Sequence, residues 1–516
     1  GCLIPFQFLT AKMYSSPERT PVDYVNPYIG NISHLLVPTY PTVHLPNSML
    51  RVYPERENFT GNTINGLPLI VTSHRGSSAF NLSPYQGELQ KAGSIIQYGY
   101  DNEVIKPYYY SVDLDDDGMY VQYAPSHQSG IYQIDFSQTD KPAYLIFNTR
   151  DGELKTDGKS ISGYQKLGNH TQVYIYLETD QQPLKIGTHQ GAVIRTTDKS
   201  TQGHNAYYIL EYPKGTASVL LRYGVSFISS EQAKQNLRRE IKNYNLQAVA
   251  DKGRSVWNET LGKIFVKGGT ENEKTVFYTS LYRTYERMIC ISEDSRYFSA
   301  YDGQVHDDEG IPFYVDDWIW DTYRATHPLR LIIETEMESN MVNSLIRMAY
   351  QMQPNWMPTF PEINGDSRRM NCNHGVATVL DAYNKGMRSF DLAKAYQVCK
   401  AAITEKTLAP WSSKPAGVLD QFYKDHGYFP ALAVGEQETV PEVHSWERRQ
   451  PAAVTLGTVY DEWCLGNIAQ ALGDKKEADY FLKRSLNYHK IFNKETCFFH
   501  PKDSFGNFIQ PFDYRY

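Results

Sequence analysis

Val315-Asp316-Asp317-Trp318-Ile319-Trp320-Asp321-Thr322-Tyr323-Arg324-Ala325-Thr326-His327-Pro328-Leu329 is the stretch on which the reading of this chain turns. Three carboxylates, two tryptophans and an arginine crowd into residues 316–324. The stretch reads as the mouth of a helix over 320–325. Asp317 and Asp321 are four positions apart and on a helix would share one face. Trp320 lays an aromatic plane beside that face. An indole beside a carboxylate suits a sugar, because the ring stacks on C–H groups while the acid takes hydroxyl hydrogen bonds. The competing reading is structural. Asp in a first helical turn is favoured by the helix dipole, and Trp is ordinary core.

Downstream of residue 271 the helical spacing continues. It predicts helices over 273–289, 329–353, 375–386, 391–405, 452–472 and 475–492, with Gly473-Asp474 as a stop followed by an N-cap. Short connections alternating with long ones suggest stacked helical hairpins. Upstream, from about 24 to 226, the pattern has period two. Short alternating runs lie at 108–114, 119–123, 130–136, 143–148, 172–177, 191–195, 206–212 and 217–227. Asp115-Asp116-Asp117-Gly118 and Thr149-Arg150-Asp151-Gly152 read as turns between them. Many short strands with turn signals argue one large β-sandwich. Residues 231–260 read as a connecting helix or two, and Ile264-Phe265-Val266-Lys267-Gly268 as one last strand.

The expected fold class is therefore multidomain, β then α: a β-sandwich, a helical linker and an (α/α)6-type toroid, incomplete on this helix count. The expected boundaries are 1–20 for a signal or lipoprotein remnant or disordered end, 21–228 for the sandwich, 229–268 for the linker and 269–516 for the toroid. A chain of 516 residues is too long for one core. The formal charge of −7, with no long basic run, argues against nucleic acid as a partner. The six cysteines form no C-x-x-C pair and no zinc spacing, so neither a disulfide framework nor a metal cluster is implied by them. The apolar opening Gly1-Cys2-Leu3-Ile4-Pro5-Phe6 reads as the remnant of a signal peptide or of a lipoprotein cleavage box with Cys2 as the lipid-bearing residue. Both point to export, to a periplasm or cell surface. No other apolar run approaches bilayer length.

Several stretches, in order, resemble glycoside hydrolase family 92, the calcium-dependent exo-acting α-mannosidases. They are Val22-Asp23-Tyr24-Val25-Asn26-Pro27-Tyr28-Ile29-Gly30, then Trp320-Asp321-Thr322-Tyr323-Arg324-Ala325 with Pro328-Leu329. Asn373-His374-Gly375-Val376-Ala377 with Asp381-Ala382-Tyr383-Asn384-Lys385-Gly386 follows. Thr455-Leu456, Tyr460-Asp461-Glu462-Trp463-Cys464 and Arg484-Ser485-Leu486-Asn487-Tyr488 complete the set. The resemblance implies inverting removal of terminal α-linked mannose from glycans, with Ca2+ as cofactor. It places Asp321 in the sugar pocket, with Trp320 and Arg324 on the same wall. It assigns the general acid, the general base and the calcium ligands to segments beyond residue 516, so no catalytic residue and no metal ligand is named in this chain.

Further candidates for sugar contact are His74 and Arg75, in a sandwich loop that the resemblance implies would reach the barrel mouth and that otherwise reads as a solvated turn, and His374, just before a helix, which reads either as a pocket residue or as a contact of the helix N-terminus. Glu362 is a loop carboxylate of plausible reach. Trp446, Glu447 and Arg448 read either as a sugar subsite or as part of an internal ion pair. Asp461 and Glu462, mid-helix, read as structural. Asp307-Asp308-Glu309 lacks the spacing of a calcium loop and reads as solvated. Two alternatives accompany the mannosidase reading: an inactive glycan-binding fragment, and a glycoside phosphorylase of similar architecture. The sequence is silent on oligomeric state and linkage preference.

Overall fold

Alternation builds the first half of the chain. In the strand Thr171–Thr179, residues Thr171, Val173, Ile175 and Leu177 are buried, and the residues between them are not. The computed structural model describes residues 19–33, 38–56, 60–72, 78–114, 118–138, 140–191, 193–370 and 373–512. His74, Arg75, the apolar opening with Cys2 and the expected turn at 115–117 lie outside them.

Strands Gln97–Lys106, Tyr109–Leu114, Met119–Pro125 and Ser129–Asp135 form an antiparallel meander. Ser218–Ser226, Thr171–Thr179, Ser160–Gly168 and Ala143–Thr156 extend it in that order. The 14-residue strand Ala143–Thr156 serves two partners along one edge. Its first half pairs with Phe80–Tyr85 and its second with Ser160–Gly168, while Ser200–Tyr212 runs along the other edge. The result is an antiparallel β-sandwich, with Leu145, Phe147, Leu154, Val173, Tyr208 and Leu221 in one core. Thr149-Arg150-Asp151-Gly152, expected as a turn, runs straight through as strand. Gly152 is there for close approach, because a Cβ would lie 1.8 Å from the Tyr164 carbonyl oxygen.

The change to helix falls between Ser226 and Ser230. Helices α1 (Ser230–Glu240) and α2 (Leu246–Leu261) are capped by the side chains of Ser229 and Asn245. Their buried residues Leu237, Ile241, Ala250 and Trp257 pack with Ala124 and Ile131 of the sandwich. The Trp257 indole N–H donates to the His44 carbonyl at 2.8 Å. Residues 264–268, expected as a strand, form none.

The remaining helices are α3 (Glu271–Thr284), α4 (Ile319–Thr322), α5 (Thr326–Ile333), α6 (Thr335–Gln351), α7 (Gly375–Asn384), α8 (Leu392–Thr404), α9 (Val418–His426), α10 (Pro451–Ala471) and α11 (Lys475–Arg484). Met341, Leu345, Val376, Val379, Cys399, Leu465 and Ile468 form their shared core. Three expectations need correction. The helix predicted over 329–353 breaks at Glu334, which leaves helical geometry (φ −141, ψ 48) and separates α5 from α6. The helix predicted over 475–492 ends at Arg484 and continues as a 3-10 turn through Ile491. The chain after 271 is not helix alone, since short two-stranded ribbons such as Ile289–Cys290 with Tyr314–Val315 interrupt it. The described cysteines, Cys290, Cys399, Cys464 and Cys497, are free thiols.

Sandwich and helices meet along a buried polar seam. Arg51, on the short ribbon of Val43–His44 with Arg51–Val52 in the N-terminal part, is ion-paired with buried Asp316. Thr42 donates to Glu286 at 2.5 Å, and the Asn47 amide donates to the Met288 carbonyl at 2.7 Å.

Candidate functional site

The seam delivers the Trp320–Arg324 stretch to a defined place. Asp316 adopts φ +68, which turns the chain sharply after the strand Tyr314–Val315. Asp317 N–H then donates to the Pro361 carbonyl at 2.8 Å. Helix α4 follows as a single turn, with no side-chain cap at Trp318. Asp317 and Asp321 thus do not share a helix face. Asp317 precedes the helix and is fully buried, whereas Asp321 is on it and exposed.

The two carboxylates have opposite environments. Asp317 accepts from the Thr322 hydroxyl at 2.8 Å and faces His327 Nε2 at 2.7 Å. Burial raises its pKa, but the His327 charge and these hydrogen bonds outweigh that and hold it below the usual carboxylate range. Asp321 is pushed upward by partial desolvation and by the Asp317 charge, against Arg324 and Arg287.

Aromatic groups gather on and around the helical turn that carries Asp321. The Arg324 guanidinium lies 5.5 Å from the Trp320 ring and 5.5 Å from the Tyr323 ring, and its Nε donates to the Tyr323 hydroxyl at 3.2 Å. Tyr323 sits 4.3 Å from His374 and 6.1 Å from Tyr460, and His374 is 5.7 Å from Tyr460. His374 Nδ1 meets Asp461 Oδ1 at 2.6 Å, and the Asn373 N–H donates to the other Asp461 oxygen at 3.0 Å. Asp461, fully buried on α10, therefore fixes the entry of α7. Three stretches far apart in sequence converge through Tyr323, His374 and Tyr460. Arg287 lies 3.9 Å over the Trp318 ring, and Trp318 stacks on Phe360 at 5.7 Å. Arg287 and Trp318 line a cavity of about 270 Å³ that also takes Tyr40, Arg51 and Tyr53 from the sandwich.

Not every candidate joins this wall. Glu362 is ion-paired with Arg369 at 3.2 Å, and burial raises its carboxyl pKa. Trp446 is 81% exposed. The Glu447 carboxylate takes the Gln450 amide, and the ion pair of this segment is Arg449 with Glu438 at 2.6 Å rather than one through Arg448. Glu462 accepts from Arg484 at 2.6 Å and from Tyr423 at 3.0 Å. Asp307 and Asp308 close their own turn by accepting from the Glu309 and Gly310 N–H groups. Among the described residues no three His, Cys, Asp or Glu side chains converge to hold a metal ion. Arg287 and Glu338 carry no signal in the sequence; His327 and Tyr460 lie inside the quoted stretches, where nothing in the spacing gives either of them a role.

Comparison with known proteins agrees with this architecture. The glycosyl hydrolase family 92 N-terminal domain matches residues 24–226, and the glycosyl hydrolase family 92 catalytic domain matches residues 232–516. A secreted glycosidase of the fungus Arthroderma benhamiae, itself uncharacterised, is 22% identical over 99% of this chain and 67% of its own. The inverting family 92 mannosidase of Bacteroides thetaiotaomicron superposes with a TM-score of 0.84 at 26% identity, over 97% of this chain and 69% of its own. A second α-mannosidase from that bacterium, solved with mannoimidazole, gives 0.83 at 21% identity, over 96% and 67%. With both domain patterns matched in order across the two parts of the fold, the chain belongs to glycosyl hydrolase family 92.

Proposed function

We propose that the protein removes terminal α-linked mannose from glycans with inversion at the anomeric carbon, and that Asp321 binds hydroxyls of the departing mannose. The observation that carries this reading is the exposed Asp321 on the same helical turn as the Trp320, Tyr323 and Arg324 cluster, in a fold shared with a solved inverting mannosidase. Trp320 offers the apolar face for sugar C–H groups, Arg324 crosslinks the two rings, and His374, held by Asp461, braces Tyr323 from behind. We carry His74 and Arg75 as contacts to the leaving sugar on the resemblance alone.

Inversion requires an acid on the leaving oxygen and a base on a water across the ring, about 6.5–9.5 Å apart. Asp317 is bonded to His327 and Thr322, and Glu362 to Arg369, which removes both from such a role. On the resemblance alone, we assign the acid, the base and the calcium ligands to segments outside these 516 residues. Export is part of the proposal and is supported by the secreted fungal relative. Among the described residues no helix is long and apolar enough to cross a membrane.

The test uses the longest open reading frame that contains this chain, assayed with calcium on an aryl α-mannoside and followed by proton NMR from the first minutes. The expected first product is β-mannose. First release of α-mannose, or turnover that depends on inorganic phosphate, would overturn the proposal.

A further inference from the structure

The turn that carries Asp321 is too short to hold itself. A single helical turn pays the nucleation cost without the gain of propagation, and α4 has no side-chain cap. Its shape must come from outside, and the contacts lead to one ring. Asp317, anchored to the Pro361 carbonyl through its backbone, accepts from the Thr322 hydroxyl with Oδ1 and meets His327 Nε2 with Oδ2 at 2.7 Å. His327 Nδ1 meets Glu338 Oε1, also at 2.7 Å. His327, Asp317 and Glu338 are at most 1% exposed. Glu338 stands in the first turn of α6, a 17-residue helix packed into the core.

We infer that His327 is a positioning residue of the sugar site: as an imidazolium clamped between Asp317 and Glu338, it ties the α4 turn, and with it Asp321, to the rigid α6 scaffold. The inference rests on the reading of Asp321 as a sugar contact. Ionised carboxylates only accept hydrogen bonds, so a ring with a carboxylate on each nitrogen donates from both. The charged groups around it are Asp317, Glu338 and Arg330, whose guanidinium is held by the Thr284 and Arg287 carbonyls. Two carboxylates against His327 and Arg330 make the cluster neutral, which is what full burial demands.

The experiment is calorimetric titration of the protein with mannoimidazole at neutral pH for wild type, Asp321→Ala, Glu338→Gln, His327→Gln and the Glu338/His327 double variant, with thermal unfolding of each. Ring-labelled histidine NMR of the wild type completes it. Glu338 does not touch the turn, yet Glu338→Gln is expected to unfold cooperatively and to bind between about tenfold and a hundredfold more weakly, the scale of a small misplacement of a binding group. The double variant should bind no more weakly than His327→Gln alone. One histidine should keep both ring nitrogens protonated well above neutrality, and its signal should be missing from His327→Gln. Should His327→Gln fail to fold, Glu338→Gln and the wild-type spectrum still decide. Wild-type affinity in Glu338→Gln alongside weakened binding in Asp321→Ala overturns the positioning role and leaves the sugar site standing. A neutral ring at that pH overturns it too. Unchanged binding in Asp321→Ala overturns the sugar-site reading and this inference together.

Discussion

At the scale of the residue, the instructive contrast is between two aspartates four positions apart. Asp317 and Asp321 look equivalent in sequence, and a helical projection puts them side by side. The chain instead spends Asp317 inward, on Thr322 and His327, and leaves Asp321 outward. Spacing alone cannot show this, because the partner of Asp317 lies ten residues on and the next, Glu338, eleven beyond that. His327 also makes a titration prediction. Burial disfavours its charge, but Glu338 and Asp317 outweigh that and raise its pKa from 6.5 to about 10. Its contribution to stability is therefore fully present below about pH 6.5, falls as pH rises, and is gone above about pH 10. Asp317, with its pKa lowered, contributes above the ordinary carboxylate range and is lost as pH falls. Urea unfolding between pH 7 and 10 should show stability falling with pH, and a flatter slope in His327→Gln. Equal slopes would mean the ring is not charged in the folded state.

At the scale of the element, local chemistry was legible where it was self-contained. Gly473-Asp474 reads as a stop and a cap, and the structure has Gly473 at φ +82 and Asp474 accepting from the Glu477 N–H at 3.0 Å. Asp474→Ala should cost about 1 kcal/mol in urea unfolding without altering inhibitor binding. A loss of binding would place α11 closer to the site than its contacts indicate. Elements set by distant partners were not legible. Gly152 looked like a turn because glycine usually marks one, yet it is required by the Tyr164 carbonyl across a strand pair. Glu334 carries no breaker signature, and its break between α5 and α6 coincides with tertiary bonds from Lys263 and Tyr285.

At the scale of the whole molecule, the order of sandwich and helices was readable from the change of period near residue 230, because period follows from backbone geometry. The seam between them was not, since Arg51 and Asp316 are 265 positions apart. That pair is nearly sealed from solvent, with side-chain exposures of 3% and 6%. Removing one partner leaves a buried charge, at a cost of about 3–5 kcal/mol. Asp316→Ala should therefore lower the melting temperature strongly and separate sandwich unfolding from helical unfolding in calorimetry. A single undiminished transition would mean that the pair does not couple the two parts.

The most direct measurement is the calorimetric affinity of the folded protein for mannoimidazole, wild type against Asp321→Ala, at neutral pH. The account predicts binding by the wild type and a loss of about 1.5–3 kcal/mol in the variant, the scale of a hydrogen bond to a charged group, with the melting temperature unchanged. Equal affinity in the two proteins would contradict it.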